Sequence, residues 1–507
     1  MMNGFPDGWM VVPLITPFVP GIRHFRRSSD LASVSRLSAP YGILPTSLCL
    51  MKSFSFAALP LLLLALPGCT MIPSYQRPDA PVAAQFPSAG KNAGSSRIAE
   101  MAWRNFFRDA RLRKILELAL TNNRDLRVAV LNVEESRAQA RIQRAAGFPT
   151  LDAGGDFSRR KSGGQTSNQF TATVASVSYE LDLFGRVRSL NAQALEQYFA
   201  TEEAQRGARL SLVAEVATQY FTWCQTQEQL ELAKQTLATV SESYSLTRSM
   251  VDAGGTNELD LRSAESQVQT SRINVITFER QSAQAENLLV LLTGQPLPAN
   301  LPARRDLGTA NVLADIPAGL PSDLMLNRPD ILEAEHSLKA ANANIGAARA
   351  AFFPSVSLTG STGSSSAEFS KLFGTNTATW GFSPQINVPI FNGGSNKATL
   401  DVAKIRTRTE AARYEKTIQT AFREVADSLV ARSSYQRQIE AQDLLITAQQ
   451  KRFDLADARY RQGLDTYLNV LSAQQDLYSS RQSLLQTRAD SLTNLTSLYK
   501  ALGGGWK

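Results

Sequence analysis

The sequence predicts an α+β membrane protein, built as two similar halves, in which each half joins a pair of transmembrane β-strands to long coiled-coil helices. Three observations predict it. Period-two alternation marks the strands, heptad runs in proline-free stretches mark the helices, and a set of ordered landmarks returns after 205–209 residues.

The repeat comes first because it organises the rest. Asn122-Asn123-Arg124-Asp125-Leu126 is echoed by Asn327-Arg328-Pro329-Asp330-Ile331, and Phe148-Pro149 by Phe353-Pro354. Leu183-Phe184-Gly185 returns as Ile390-Phe391-Asn392-Gly393, and Ala253-Gly254, Leu259 and Ala264 as Gln462-Gly463, Leu468 and Ala473. The spacing far exceeds that of solenoid units, so this is a duplication on the scale of a domain. It divides the chain into a first repeat at 101–294, a proline-dotted linker at 295–325 and a second repeat at 326–507.

The strands precede the long helices. Trp380, Phe382, Pro384, Ile386, Val388 and Ile390 alternate with Gly381, Ser383, Gln385, Asn387 and Pro389; Val177, Tyr179, Leu181 and Leu183 alternate with Ser178, Glu180 and Asp182. With Leu151–Ser158 and Ser355–Gly363 as their partners, the pattern gives hairpins at about 150–184 and 354–390, with polar loops near Lys161–Asn168 and Ser364–Thr377. Strands of about ten residues suit a bilayer, with Trp380, Phe391 and Tyr179 as interfacial aromatics.

Four strands cannot close a membrane barrel, and an open edge in lipid leaves backbone groups unpaired at several kcal/mol each. The sheet therefore needs other copies. Two copies give eight strands and a barrel filled by its own side chains, whereas three give twelve and room for an aqueous bore.

No proline occurs from Thr150 to Gln295 or from Ile390 to the end. Within these stretches Val216, Trp223, Leu230, Leu237 and Tyr244 are seven apart, as are Ile439, Ile446, Phe453 and Tyr460, and Leu471, Tyr478, Leu485, Leu492 and Tyr499. A helix over about 190–250 would run on the order of 90 Å at 1.5 Å per residue. Asp252-Ala253-Gly254-Gly255 and Arg461-Gln462-Gly463 fall between consecutive heptad helices and read as the tips of two helical hairpins.

Composition closes off other classes. The chain has 507 residues, 43% hydrophobic and 19% charged, with a mean hydropathy of −0.18. Its longest clean apolar run, Phe54–Leu66, is well short of the ~20 residues a membrane-spanning helix needs. Three cysteines (Cys49, Cys69, Cys224) and two histidines (His24, His336) supply neither a disulfide framework nor a zinc-ligand spacing. Cys224 reads as a core thiol and His336 as a surface or interface residue. Glu134-Glu135 and Glu333/Glu335 read as a solvated helix pattern. The 53 Lys+Arg and 45 Asp+Glu are dispersed along the chain, which excludes a basic nucleic-acid arm. No GxSxG, phosphate loop or dinucleotide fingerprint is present, so no enzyme is expected.

At the start of the chain, Met51-Lys52 followed by Phe54–Leu66 has the order of a secretory signal, which makes 51–68 a signal peptide, 1–50 an upstream misread and 69–100 an N-terminal tail. Leu66-Pro67-Gly68-Cys69 resembles a bacterial lipobox, although Pro67 is unusual there. The resemblance implies acylation of Cys69 as the one covalent addition, with no cofactor or metal. Thr70 in place of an aspartate implies sorting to the outer membrane.

Several motifs then coincide with the duplication: Tyr75-Gln76-Arg77-Pro78, Trp103 with Phe106-Phe107, Asp109 and Leu112, Glu180 to Gly185, Arg459-Tyr460-Arg461-Gln462-Gly463 and Ala501-Leu502-Gly503-Gly504-Gly505-Trp506. From about Cys69 to Lys507 the chain resembles the outer-membrane factors of tripartite efflux pumps, lipoprotein branch, the family of TolC and OprM. The resemblance implies a homotrimer with a twelve-stranded barrel in the outer membrane, continuous with an α-helical barrel across the periplasm. It implies a periplasmic adaptor and an inner-membrane proton-driven RND transporter as partners, outer-membrane lipid around the barrel, and passive conduction of drugs or other toxic compounds.

In that family the closed periplasmic end is narrowed by a leucine with an acidic residue and an arginine nearby. The matching positions are Leu468, Ser472 and Gln475, so the leucine is kept and both charges are replaced by neutral polar groups. A gate held by hydrophobic constriction is the expectation. The tips at Gly254, Gly255, Arg461, Gly463 and Leu464 are the expected adaptor contacts. A periplasmic coiled-coil structural or adaptor lipoprotein without a channel is the rival reading, and it leaves the alternation of Trp380–Ile390 unexplained.

Overall fold

The computed structural model describes residues 70–83, 86, 101–308, 325 and 327–504, all within one structural unit, Pro67–Lys507. The expected segments 1–50 and 51–68, Cys69, much of the tail and linker, and Gly505-Trp506 lie outside the described residues. The elements are helices α1 (Trp103–Phe106), α2 (Ala110–Asn122) and α3 (Arg124–Ala145), strands β1 (Thr150–Ser162) and β2 (Gln165–Leu181), and helices α4 (Arg186–Asp252) and α5 (Glu258–Thr293). After the linker follow α6 (Pro329–Ala350), β3 (Ser355–Ser366), β4 (Ala378–Asn387), α7 (Ser395–Arg461) and α8 (Tyr467–Ala501). The order helix, hairpin, long helix, returning helix occurs twice, with helices of 22, 67 and 36 residues and then 22, 67 and 35. No described helix is long and apolar enough to cross a membrane.

A 67-residue helix is about 100 Å long, more than any returning helix here can cover. Each long helix is therefore backed by two shorter ones laid end to end. Helices α5 and α3 both run antiparallel to α4, as Gln219 to Ala285 (2.9 Å) and Thr201 to Ser136 (3.4 Å) show. Helices α8 and α6 do the same for α7, through Asn494 to Ser428 (2.9 Å) and Arg328 to Glu424 (2.9 Å). The helices form one layer in the order α3/α5, α4, α6/α8, α7.

The splices are built alike. At the first, Gly294 ends α5 with φ 67°, and a Cβ there would lie 2.4 Å from the Asn122 carbonyl oxygen. Asn123 caps α3 by accepting from Leu126 N, while its amide donates to the Leu292 carbonyl at the frayed end of α5. At the second, Gly503 (φ 76°) meets the Asn327 carbonyl, and the Arg328 guanidinium donates to the Ala501 carbonyl at 2.8 Å. The sequence landmark Asn122-Asn123/Asn327-Arg328 is thus the seam between helices.

Around the seams lies the principal core, with Trp103, Phe106, Phe107, Leu112, Tyr220, Leu289, Leu498 and Tyr499 among its fully buried side chains. Phe106 stacks on Tyr499 with centroids 4.1 Å apart, and the Asp109 carboxylate both caps α2 and accepts from the Tyr220 hydroxyl at 2.8 Å. Burying each such aromatic contributes roughly 2–3 kcal/mol.

The four strands form one antiparallel sheet in the order β1-β2-β3-β4, with β1 and β4 as open edges. Paired residues share a face. One face carries Leu151, Phe157, Phe170, Val177, Tyr179, Leu358, Trp380, Phe382 and Ile386; the other carries Asp152, Asp156, Ser158, Gln169, Ser176, Ser357, Thr359, Ser361, Ser383 and Gln385. Bulges at Asp152/Gly154 and Thr173/Ala175 interrupt the ladder without exchanging the faces.

Four expectations about the sheet and helices need correction. The first hairpin has no loop at Lys161–Asn168: the ladder continues to the Ser162–Gln165 pair, and Gly163-Gly164 (φ 57° and 86°) close it as a two-residue turn only glycine adopts readily. Strand β3 continues to Ser366, and the loop beyond it folds into a 3₁₀ turn at Phe369–Lys371. Strand β4 stops at Asn387 instead of Ile390, because its partner β3 begins at Ser355 and Pro389 has no N–H to offer. On α4 the fully buried heptad track below Trp223 is Ala233, Val240 and Thr247, while Leu230, Leu237 and Tyr244 are only half-buried.

Glu335 is also not part of a solvated pattern: it is 3% exposed, whereas Glu134 and Glu135 are exposed as expected. Residues 71–77 lie along α6 as a strap. Met71 accepts from Arg349 (3.2 Å), Pro73 from Asn342 (2.9 Å), and Glu335 is held by Arg77 (2.5 and 3.2 Å) and Lys339 (3.0 Å). Gly346 is needed beneath the strap, since a Cβ there would sit 2.7 Å from Ile72 and 2.5 Å from Ser189. Burial would raise the Glu335 pKa, but hydrogen bonds from Arg77 and Lys339 outweigh it and hold the carboxyl below its usual range.

Replacing Arg77 by alanine is expected to cost about 2 kcal/mol, because Lys339 is then the one cation left beside a buried carboxylate that otherwise has only the Tyr75 hydroxyl at 3.4 Å. Since the folded-state pKa of Glu335 is depressed, this stabilisation is complete above the ordinary carboxylate range and is lost as pH falls through the folded value. Denaturant midpoints of wild type and Arg77→Ala should therefore differ at pH 7 and converge in acid; a gap that widens on acidification would refute the assignment.

Candidate functional site

The two helical hairpins reverse by the same backbone device. At the first tip, Gly254 (φ 70°) donates to Val251 O and Gly255 to Met250 O; at the second, Gly463 (φ 71°) donates to Tyr460 O and Leu464 to Arg459 O. This is a Schellman closure, in which the left-handed residue must be glycine to avoid strain. Nothing lies within 4 Å of where a Cβ would sit on Gly254 or Gly463, so conformation and not crowding selects glycine there.

All five residues expected at the tips, Gly254, Gly255, Arg461, Gly463 and Leu464, are exposed there. Arg461 pairs with Asp457 one turn back (2.7 Å), and Arg459 reaches Asp465 across the turn (3.3 Å). Hydrogen bonds, first from Asn469 and then from the Thr466 backbone, hold Asp465 below the usual carboxylate range. Both tips thus carry ordered charges: at the first, Arg262 pairs with Glu258 and Glu265 (2.8 Å each) in the opening turns of α5.

Just behind the tips a small separate core fastens the two hairpins together. It contains Ala264 of α5, Tyr460 of α7 and Tyr467 and Val470 of α8, with Tyr244 and Met250 of α4 and Phe453 of α7 packed against them. Thr247 on α4 gives its hydroxyl proton to Ser243 O at 2.9 Å, so Tyr460 must be the donor in the 3.1 Å contact between their hydroxyls. The neighbouring Tyr467 ring lies 5.4 Å from that of Tyr460, but its buried hydroxyl has no hydrogen-bond partner. Burial pushes the Tyr467 pKa up to about 12.

The three residues expected at the constriction do not form one cluster within the protomer. Leu468 is 68% exposed in the first turn of α8, which excludes a role as a core residue of this chain. Leu259, its counterpart in α5, is 74% exposed. Ser472 accepts a 3.3 Å hydrogen bond from Arg452 of α7, while Gln475 points to α5 and donates to Gln267 at 3.2 Å.

The neighbourhood of Ser472 is nevertheless charged. Arg452 forms a 2.5 Å pair with Asp476, one helical turn beyond Ser472, and Arg481 to Gln450 (2.6 Å) and Arg488 to Asp443 (3.1 Å) continue a polar ladder between α7 and α8. Asp476 could have been read from its spacing to Ser472. Its partner lies 24 residues earlier on another helix and leaves no local trace.

Cys224 is buried in the principal core, its thiol pKa pushed up to about 12 by burial. His336 lies between helices, 2.6 Å from Glu196 and beside Phe199. Neither approaches the tips in sequence or in packing partners.

The chain matches the family model for outer membrane efflux protein over residues 115–295 and 320–504. A probable efflux pump outer membrane protein, TtgC of Pseudomonas putida, is 49% identical over 451 residues, covering 87% of this chain and 93% of that protein. The cation efflux system protein CusC of Escherichia coli is 41% identical over 450 residues, covering 88% and 97%. Among solved structures, the open state of the Neisseria gonorrhoeae MtrE outer membrane channel superposes with a TM-score of 0.80 at 41% identity, covering 87% of this chain and 99% of that one.

The two tip tyrosines should respond differently. Tyr460→Phe removes the donor to buried Thr247 and is expected to destabilise by about 1 kcal/mol, whereas Tyr467→Phe removes an unpaired hydroxyl and should be neutral or stabilising. Hydrogen exchange in the final turns of α4 and α7 would report the difference; equal losses in both variants would contradict the donor assignment.

Proposed function

The chain belongs to the outer membrane efflux protein family, and on that premise we propose that it is the outer-membrane exit duct of a tripartite pump. It conducts small toxic compounds passively from a periplasmic adaptor and an inner-membrane RND transporter to the outside. The observation that carries this reading is the four-stranded sheet with one apolar face, one polar face and two unpaired edges.

Three copies joined edge to edge give twelve strands with the apolar face toward lipid and the polar face lining a bore. The helical layer supports the same closure. Its outermost members carry exposed apolar residues, including Ile273, Ile276 and Leu291 on α5 and Ile405, Leu444 and Leu455 on α7, which a neighbouring copy would cover. The equal helix lengths of the two halves support a duplication with repeats at 101–294 and 326–507 and a linker at 295–325.

A lipid on Cys69 fits the strap. Met71 is bonded to Arg349 near the end of α6 from which β3 departs, so the chain enters at the sheet end of the helices and an acyl group there reaches the bilayer. At the opposite end, Leu468 from three copies forms the narrowest apolar ring, with Ser472 and Gln475 behind it. The tips at Gly254-Gly255 and Arg461-Gly463-Leu464 receive the adaptor.

Reconstitution in a planar bilayer tests the duct: discrete conductance is expected, and its absence would favour a coiled-coil lipoprotein without a channel. Leu468→Ala should raise single-channel current and vancomycin entry severalfold while Ser472→Ala changes them little; equal, negligible effects would sink the hydrophobic gate. Arg461→Glu should leave trimers intact and abolish efflux in cells.

A further inference from the structure

We propose that the apolar sheet face carries, at its end remote from the helices, a binding site for the phosphate groups of an outer-leaflet lipid, formed by Arg159 and Lys161 above an aromatic shelf. The site rests on the reading that the sheet spans the outer membrane with this face toward lipid.

Register fixes the geometry. Phe157 pairs with Phe170, Arg159 with Asn168 and Lys161 with Thr166, so the two cations lie on the apolar face and not on the bore face. Phe157 stacks on Phe170 with centroids 4.5 Å apart, and Phe369 from the β3–β4 loop packs edge-on against Phe170 at 5.7 Å. At ~3.4 Å per residue, Arg159 and Lys161 lie about 7 and 14 Å beyond Phe157 along the strand, and a tilt of ~40° converts this to roughly 5 and 10 Å of height. That is the headgroup level directly above a band of aromatic and aliphatic side chains.

Charge and exposure agree with this placement. Both side chains are exposed, and the residues of β1 and β2 that share their face from Leu151 to Leu181 include no acid. Asp152, Asp156 and Arg160 lie on the other face. The one nearby carboxylate of the β3–β4 loop, Glu368, is engaged by Lys371 at 2.9 Å. Two cations beyond an aromatic shelf at a lipid interface match a ligand with phosphates at headgroup level and acyl chains below: the guanidinium binds phosphate bidentately and the aromatic rings pack on the chains.

The experiment uses the full chain in phosphatidylcholine vesicles with added bis-phosphorylated lipid A, reading the temperature at which the oligomer dissociates. Wild type is expected to gain several degrees with the phosphorylated lipid and none with its dephosphorylated form, and the gain should shrink in high salt. The Arg159→Gln/Lys161→Gln variant should lose the gain and bind the lipid about tenfold more weakly, while Arg160→Gln on the bore face keeps it. An equal gain in the double variant, or the same gain from inorganic phosphate alone, would overturn the proposal. Single-channel conductance measured on the same preparations separates the two readings: conduction by both proteins with no lipid response rejects the lipid site alone, whereas no conduction by wild type rejects the spanning sheet itself.

Discussion

The length of the two 67-residue helices is the constraint on which the rest of the structure depends. A helix of about 100 Å with a buried stripe must be covered along its whole length, yet each returning helix stops little more than halfway. The remaining stretch is covered by a second helix that begins where the first ends. Splicing two helix ends in a buried place leaves orphan carbonyls facing an N-terminus, and Asn123 and Arg328 resolve this with side-chain donors while Gly294 and Gly503 let the backbones approach. The splices sit at one level of the molecule. There the principal core gathers α1, α2 and the aromatic end of α8 around them, and the strap crosses nearby along α6. From that level the short helices α3 and α6 lead to the sheet and the returning helices come up from the tips, so the registration of both ends is inherited from the seams.

The sheet and the tips place opposite demands on this frame. The sheet buries no apolar side chain of its own, and its two-faced patterning has value only when its edges are joined and its apolar side is covered. The tips bury a compact tyrosine-rich core of their own, separate from the principal one. Between the two cores the helices are joined by a thin buried track, Ala233 and Val240 of α4 with Leu477 and Leu484 of α8, and by polar links such as Arg452–Asp476.

What was legible in the sequence follows the range of each interaction. Strand alternation at Trp380–Ile386, the heptads and the glycine tips are local patterns, and all appear close to where their periods put them. Lys161–Asn168 reads as a loop because Arg159 to Gln169 has no apolar side chain, so there is no alternation of hydrophobicity to follow even though the ladder continues. Glu335 was misread because its partners Arg77 and Tyr75 lie about 260 residues away, and a carboxylate on a helix looks solvated until a strap covers it. Leu230, Leu237 and Tyr244 mark the heptad correctly, but which of two adjoining tracks is buried depends on the neighbouring helix. The likeness to channel structures extends over 87% of the chain, which is why the architecture is readable from few motifs, whereas the charges behind Leu468 come from the pairing of α7 with α8, which no local spacing reveals.

The Gly163-Gly164 turn has a further consequence for what the cell shows to its surroundings. With the sheet spanning the outer membrane as proposed, and one hairpin closed by a two-residue turn, each protomer offers the outside the narrow Arg159–Gln169 ladder and the irregular segment from Ala367 to Thr377. On that orientation antibodies, bacteriophages and proteases would meet one irregular loop, in which Phe373 (78%) and Phe369 (70%) are the exposed large apolar side chains. Variation selected by immune or phage pressure would be concentrated in that loop, leaving the strands and helices beneath it outside that pressure.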